Sequence, residues 1–480
     1  MRRMISRSEQ LYNGFLDNLG FAPTACQDRC LGQIAGFVTS DDSDIMVLSG
    51  FAGTGKTTML AAVVKTLEAF HTKYVLLAPT GRAAKVIANY SGRQAFTIHK
   101  HIYRQKSVGD NGLGLFSISP NKAVRTLFIV DEASLIGGAQ GDGSNMFGTG
   151  DLLSDLIGFV RSGAVCKLLL VGDKAQLPPV GLDDSPALNE AVMAGFGGTE
   201  FASMTTVVRQ SAESGILANA TRLREVLFEE GAYSLPMSEL NLSTRHFTDI
   251  ERITGGDLLD VLYDAYGRYG DGETMVLCRS NKMANRYNAG IRAKIQYKEE
   301  DLVKGDKLMV VKNCYQLPER VQNIGFIANG DVADLLKIGR YEERYGLHFA
   351  TARLSFPDYD GEEMSVKVCL DALSSETPAL TYEQQNALYS GVNEDYAHIT
   401  SKRKRYEAVK EDSYFSALQI KYAYALTCHK AQGGQWKCVF IDNPFWQDVL
   451  DRDQLRWLYT ALTRATEKVY LVNFNDKCFK

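Results

Sequence analysis

A chain of 480 residues is longer than one hydrophobic core organises, so about three folded domains are expected. Hydrophobic residues at 45%, charged at 23% and aromatic at 10% exclude a disordered chain, and a formal net charge of -4 excludes a general attraction to polyanions, so any nucleic-acid binding must come from local basic and aromatic surface. No apolar run approaches the roughly 18 residues that cross a bilayer, and the opening MRRMISRSEQLYNGF has no long apolar segment, so no membrane partner and a cytoplasmic location are expected.

Near the start, Cys26 and Cys30 have the spacing of one helix face. The chain holds nine cysteines, an odd number, with no pair of CxxC knuckles, which indicates neither a disulfide framework nor a zinc site. Apolar strand-like runs then alternate with helical stretches: Ile45–Leu48, Tyr74–Ala78, Thr126–Val130 and Lys167–Val171 each end in a polar or Gly-rich loop. That alternation predicts a parallel sheet covered by helices, with ligands at the carboxyl ends of its strands. Further on, Thr274–Cys278, Tyr422–Leu426, Val439–Ile441 and Val469–Val472 read as a second sheet. Between them, from Asp301 to Ser413, Gly-punctuated β-type stretches (KLMVVKNCY, DVADLLKI, HFATARLSF) precede a polar helical piece, TSKRKRYEAVKED, and together these read as an insertion. The basic run in that piece fits either phosphate contact or a solvated helix face.

The loop Gly50-Phe51-Ala52-Gly53-Thr54-Gly55-Lys56-Thr57 matches GxxxxGK[ST], with a strand before it and a helix running on from Thr58 after it. Glycines let the backbone wrap phosphate oxygens, the helix amino terminus points N–H groups at the anion, Lys56 reaches the β and γ phosphates of ATP, and the Thr57 hydroxyl can ligate Mg2+. In LFIVDEASLI, Asp131 and Glu132 follow a strand, so one carboxylate can hold the magnesium shell and the next can orient or deprotonate the attacking water. In LLLVGDKAQLPPV, Gln176 can contact the γ-phosphate. Phosphoryl transfer also needs positive charge on the γ-phosphate oxygens, and Arg209 in TTVVRQSAESGI and Arg464 in LYTALTRATEKVYLV are the candidates. If both serve, ATP lies in a cleft between two α/β domains.

These segments form an ordered set: PTACQ, GFAGTGKT, APTGRAAK, FTIHK, VDEAS, GDKAQLPPV, VVRQ, CRSNKMANRYNAGIR, TCHKAQGGQW and YTALTRA. In that order they resemble the RecD-like and Dda-like branch of superfamily 1 helicases, which moves 5′ to 3′, over nearly the whole chain. The resemblance implies an α/β fold of two RecA-like parallel-sheet P-loop motor domains with a small β-hairpin insertion and an SH3-like β insertion. Residues 1–99 and 126–200 would form motor domain 1A, 100–125 the hairpin 1B, 201–300 and 414–480 motor domain 2A, and 301–413 the SH3-like 2B. It implies that Gln27 reads the adenine and that Gly433 lies near the γ-phosphate. Pro79, Thr80, Arg82, Thr97 and His99 would line single-stranded DNA on the first motor domain, with Thr427, His429 and Lys430 on the second. Phe116 is the candidate wedge aromatic, with packing of its own hairpin as the other reading. After HKAQG the chain departs from many relatives, with Gly434-Gln435-Trp436 where they carry an acidic residue.

The expected partners are single-stranded DNA and junctions of single and double strands, handled by a monomer. An RNA helicase, a protein-displacing translocase and a P-loop ATPase that remodels proteins are the alternatives. Stacking and phosphate contacts do not distinguish the sugar.

Overall fold

The computed structural model describes residues 6–108, 114–138, 148–207, 213–229, 234–314, 327–359 and 361–479. Helices α1 (Arg7–Leu19) and α2 (Ala25–Thr39) precede β1 (Ile45–Gly50), α3 (Lys56–Ala69), β2 (Lys73–Ala78), α4 (Gly81–Ser91), β3 (Ala95–Thr97) and α5 (Ile98–Ile102). A hairpin of β4 (Tyr103–Val108) and β5 (Gly114–Ile118) follows, then β6 (Thr126–Val130), α6 (Leu152–Arg161), β7 (Lys167–Gly172), α7 (Glu190–Ala194) and β8 (Thr199–Met204). All of these strands except the hairpin form one parallel sheet in the order β3-β2-β6-β7-β1-β8. The runs IMVL, TLFIV and LLLV are buried throughout because both faces of the sheet are covered. Met46 and Leu48 pack with α1, α2 and α3, whereas Ile45 and Val47 face the cluster of α5 and α6, as the two-residue strand period requires.

The second lobe contains α8 (Gly215–Leu227), β9 (Ser234–Pro236), β10 (Ile250–Ile253), α9 (Leu258–Tyr269), β11 (Thr274–Cys278) and α10 (Asn281–Lys294). A closed barrel then interrupts it, built from β12 (Lys307–Val310), β13 (Val332–Arg344), β14 (Leu347–Phe356), β15 (Glu362–Cys369) and β16 (Leu418–Tyr422). Helices α11 (Asp371–Ser374), α12 (Tyr382–Asp395) and α13 (Lys402–Glu411) lie between its last two strands. The chain returns through β17 (Ala425–Thr427), β18 (Trp436–Asp442), β19 (Val449–Asp451), α14 (Arg452–Leu462) and β20 (Ala465–Val472). The second sheet is parallel, in the order β10-β20-β18-β11-β17.

The apolar run Tyr422–Leu426, expected as one strand of the second sheet, is divided between two sheets. Leu418–Tyr422 closes the barrel and Ala425–Thr427 pairs with β11, so the inserted barrel continues past Ser413. A continuous apolar stretch carries no mark of where the chain changes partner, since both segments are buried. In the same way β8 extends the first sheet beyond residue 200.

A buried charge cluster ties α10 to the barrel. Asp306, with no exposed surface, accepts from Arg292 Nε at 3.0 Å and Nη2 at 2.9 Å, from Lys298 Nζ at 3.1 Å and from the Tyr424 hydroxyl at 3.1 Å. Asp306→Ala would strand these cations in a buried site, and is expected to lower the unfolding free energy by about 3 kcal/mol in urea titration. An unchanged midpoint would show that the cluster does not hold the junction. Among the described residues, no helix is long and apolar enough to cross a membrane.

Candidate nucleotide and nucleic-acid site

The loop after β1 is shaped by backbone that only glycine adopts freely: Gly53 has φ +77° and Gly55 φ +85°. A Cβ on Gly50 would lie 2.9 Å from the Lys56 side chain, so glycine is what lets that lysine fold back over the loop. Lys56 Nζ donates to Gly50 O at 2.7 Å and Phe51 O at 3.0 Å, and lies 3.9 Å from Asp173 Oδ2. No side chain caps α3 at Gly55, so the first-turn amides of that helix are left for an anion. Thr57 is half-buried and Thr58 exposed beside them, while Thr54 is buried with its hydroxyl on Phe51 O at 2.8 Å.

Gln27 is fully buried at the start of α2. Its Oε1 accepts from Thr24 N at 2.9 Å in a capping box, and its Nε2 donates to Thr54 O at 3.0 Å. The amide therefore braces the phosphate loop from behind, a role the expectation of adenine recognition does not include.

Asp131 and Glu132 follow β6, at the same end of the sheet. Asp131 is 7% exposed, accepts from Glu132 N at 2.9 Å, and has its carboxyl pushed up to about 7 by burial and by the neighbouring Glu132, with Lys56 opposing. Glu132 has φ +54°, a left-handed conformation that is strained for a non-glycine residue and turns its side chain away from the strand direction. Gln176 is 5% exposed, and its Oε1 is buried with no hydrogen-bond partner among the described residues. The buried Asp131 carboxylate at the end of β6 and the half-buried Thr57 hydroxyl in the first turn of α3 are oxygen donors of the kind a hard divalent cation such as magnesium takes.

The second lobe reaches into this site through α14, which a capping box at Asp451 and Gln454 starts and whose residues Gln454 to Leu462 are all buried. The Tyr459 hydroxyl accepts from Ala52 N at 2.9 Å and donates to Asp173 Oδ2 at 2.7 Å. Next to it, Thr460 Oγ1 accepts from Leu177 N at 2.9 Å, and Gln432 Nε2 donates to Leu177 O at 2.8 Å. Ala175 and Leu177 belong to the core cluster of the second lobe, and Phe51 and Ala52 pack against it. Tyr459, Thr460, Gln432 and Asp173 were not singled out in the sequence, although each lies in a quoted motif. For Tyr459 and Thr460 the available signal was a polar residue within an otherwise apolar helical run, WLYTAL.

Arg464 is 3% exposed and turned into its own lobe, with Nη1 on Gly434 O at 3.2 Å and Nε on Thr460 O at 3.2 Å. Arg209 lies outside the described residues. Gly433 is set against α4: with φ +75°, a Cβ there would meet Ala83 Cβ at 2.9 Å and Thr80 Oγ1 at 3.2 Å. The turn after Gln432 carries it there, because Gln432 itself is fixed on Leu177.

The residues expected along a nucleic-acid strand divide into several environments. Pro79 is half-buried at the end of β2; Thr80 and Thr97 cap α4 and α5, accepting from Ala83 N and Lys100 N, both at 3.2 Å. The Arg82 guanidinium stacks 4.1 Å over the Trp436 ring of the second lobe. His99 is half-buried against Tyr103, with burial lowering its pKa, and Phe116 packs half-buried on the cluster of Ile98 and Ile102. On the second lobe Thr427 is half-buried and His429 exposed, while Lys430 Nζ is enclosed with no partner among the described residues and its pKa is pushed down to about 8 by burial.

The barrel leans over α4: Lys85 donates to Pro357 O, and Asp331, held by the Tyr359 hydroxyl at 2.7 Å, lies where a Cβ on Gly81 would be. Beneath it opens a cavity of about 500 Å³ whose lining includes Lys85, Arg93, Lys100, Phe96 and Tyr359 and, among the described residues, no Asp or Glu.

A phosphate loop at the end of β1, a carboxylate pair at the end of β6 and a second parallel-sheet lobe whose α14 touches the phosphate loop define the class as a P-loop nucleotide-binding protein with two α/β lobes. Residues 32–232 match a family profile described as an AAA domain, and residues 422–472 one described as a UvrD-like helicase C-terminal domain. The chain is 26% identical over 456 residues to the ATP-dependent RecD2 DNA helicase of Deinococcus radiodurans, covering 92% of this chain and 48% of that protein. It is 24% identical over 450 residues to the ATP-dependent DNA helicase dda of Enterobacteria phage T4, covering 89% of this chain and 94% of that one. The chain is thus similar to the RecD2 and dda helicases, and it spans about half the length of the RecD2 relative. The solved structure of the Bacteroides Pif1 helicase with ADP-AlF3 and ssDNA aligns over 96% of this chain and 95% of that one, at 15% identity and a TM-score of 0.47.

Proposed function

We propose that this protein is an ATP-dependent DNA helicase and translocase that moves 5′ to 3′ on single-stranded DNA, acts as a monomer and opens duplex at a junction of single and double strands. The observation that carries the reading is that strand-end loops of one sheet hold both the phosphate loop, touched by Tyr459 from the opposite lobe, and the cavity of cations and aromatics under the barrel. Lysines and arginines that track a backbone, interleaved with rings on which bases stack, are the chemistry of sequence-blind single-strand binding.

In this reading the six-stranded lobe is the first motor domain, the five-stranded lobe the second, and the barrel a strap over the strand. Lys56 and the α3 amides bind the ATP phosphates, and Gln27 stiffens the loop that does so. Thr57 and Asp131 would hold magnesium, which supplies charge neutralisation for the phosphates. Glu132 orients or deprotonates the attacking water, Gln176 presents its side-chain amide to the γ-phosphate end, and Arg464 and Arg209 bring positive charge from the other side. Opening and closing of the cleft then alternates the grip of Thr80 and Thr97 with that of Thr427 and His429 on the DNA backbone.

The test is unwinding of duplexes carrying a 5′ or a 3′ single-stranded tail, in DNA and in RNA. ATP-dependent opening of the 5′-tailed DNA alone is expected. Preference for the 3′ tail overturns the direction, preference for RNA overturns the substrate, and no opening of any duplex overturns the helicase reading.

A further inference from the structure

The Tyr459 hydroxyl does more than link two lobes. Its oxygen takes the N–H of Ala52, an amide of the phosphate loop, and its proton goes to Asp173, whose other oxygen accepts from Ala175 N at 2.9 Å. Asp173 has no exposed surface, and Lys56 Nζ stands 3.9 Å from the oxygen that Tyr459 bonds. The amide and the lysine are groups built to meet phosphate oxygens, and here both face oxygens supplied by the protein. Since Lys56 serves the β and γ phosphates, the tyrosine stands at the triphosphate end of the seat.

We propose that Tyr459 is a positioning residue that holds the phosphate loop from the opposite lobe, and that nucleotide phosphates take the Ala52 N–H from it, so that filling the site releases the middle of α14. Arg464 follows directly on that helix, and its Nε is bonded to Thr460 O, so release at Tyr459 loosens the residue chain that aims the arginine. Thr460 stays on Leu177, which keeps the helix docked as it shifts. The inference rests on the nucleotide reading of the P-loop and adds the event that couples occupancy to the second lobe.

The experiment is calorimetric titration of the full chain, without DNA, with the non-hydrolysable triphosphate AMP-PNP, using wild type, Tyr459→Phe and Asp173→Asn, together with amide exchange of the segment Arg452 to Arg464. Both variants weaken the competing contact, so each is expected to bind AMP-PNP about five-fold more tightly, the worth of one hydrogen bond. In wild type the segment is expected to exchange faster once AMP-PNP binds, and in Tyr459→Phe to exchange fast already without it. A purely structural tyrosine would give a lower Tm with affinity unchanged or weaker, and that result overturns the proposal; if Tyr459→Phe does not fold, Asp173→Asn decides by the same criterion. Wild type that binds no AMP-PNP overturns the nucleotide site itself and the latch with it, whereas binding by wild type with no gain in either variant overturns only the latch.

Discussion

Replacing Lys56 with alanine is expected to lower DNA-stimulated ATP hydrolysis by about 10³ in kcat, because the phosphate charge then develops without its principal protein cation. The fold should survive. Among the described residues Lys56 donates to Gly50 O and Phe51 O, carbonyls of its own loop, and the carboxylate within 4 Å of it, Asp173, is also held by Tyr459 and Ala175 N. A Tm within about 4 °C of wild type is therefore expected, measured by scanning calorimetry. Turnover above a tenth of the wild-type rate in a folded variant would remove Lys56 from the phosphate site.

Arg464→Ala is expected to bind ATP and DNA yet to hydrolyse about 10³ more slowly, the lower range for an arginine that stabilises the transferring phosphoryl group. The structure adds a condition to this expectation. Arg464 is buried on Gly434 O and Thr460 O, so it must exchange those carbonyls for phosphate oxygens; in alanine Thr460 O keeps the Thr463 hydroxyl at 2.9 Å, whereas Gly434 O loses the guanidinium, at about 1 to 3 kcal/mol of stability. Arg464→Lys separates the two effects. It restores a donor to one carbonyl and part of the stability, but a point charge does not reproduce the guanidinium fork, so kcat should stay low. The measurement is single-turnover hydrolysis at saturating DNA, with Tm alongside, and an unchanged kcat for Arg464→Ala would exclude the finger role.

The sequence by itself determined the parts whose chemistry is local. GFAGTGKT needs left-handed glycines and a following helix start, and both are present at Gly53, Gly55 and Lys56. The runs IMVL, TLFIV and LLLV required a sheet covered on both faces, and they supply three of its central strands. Residue types at strand ends likewise put Asp131, Glu132 and Gln176 at the carboxyl edge of the first sheet, where the structure has them, because the strand runs before them are legible in the local pattern.

The tertiary structure alone decided which groups meet across the cleft. Tyr459 on Ala52 and Asp173, Arg82 on Trp436 and Gly433 on Thr80 join segments far apart in the chain, and neither spacing nor periodicity specifies such pairs. The division of Tyr422–Leu426 between barrel and sheet is of the same kind, since burial is equal on either side and only the hydrogen-bond partner differs. Local pattern follows from side-chain chemistry and the helix or strand period, whereas contact between lobes follows from how two finished surfaces pack.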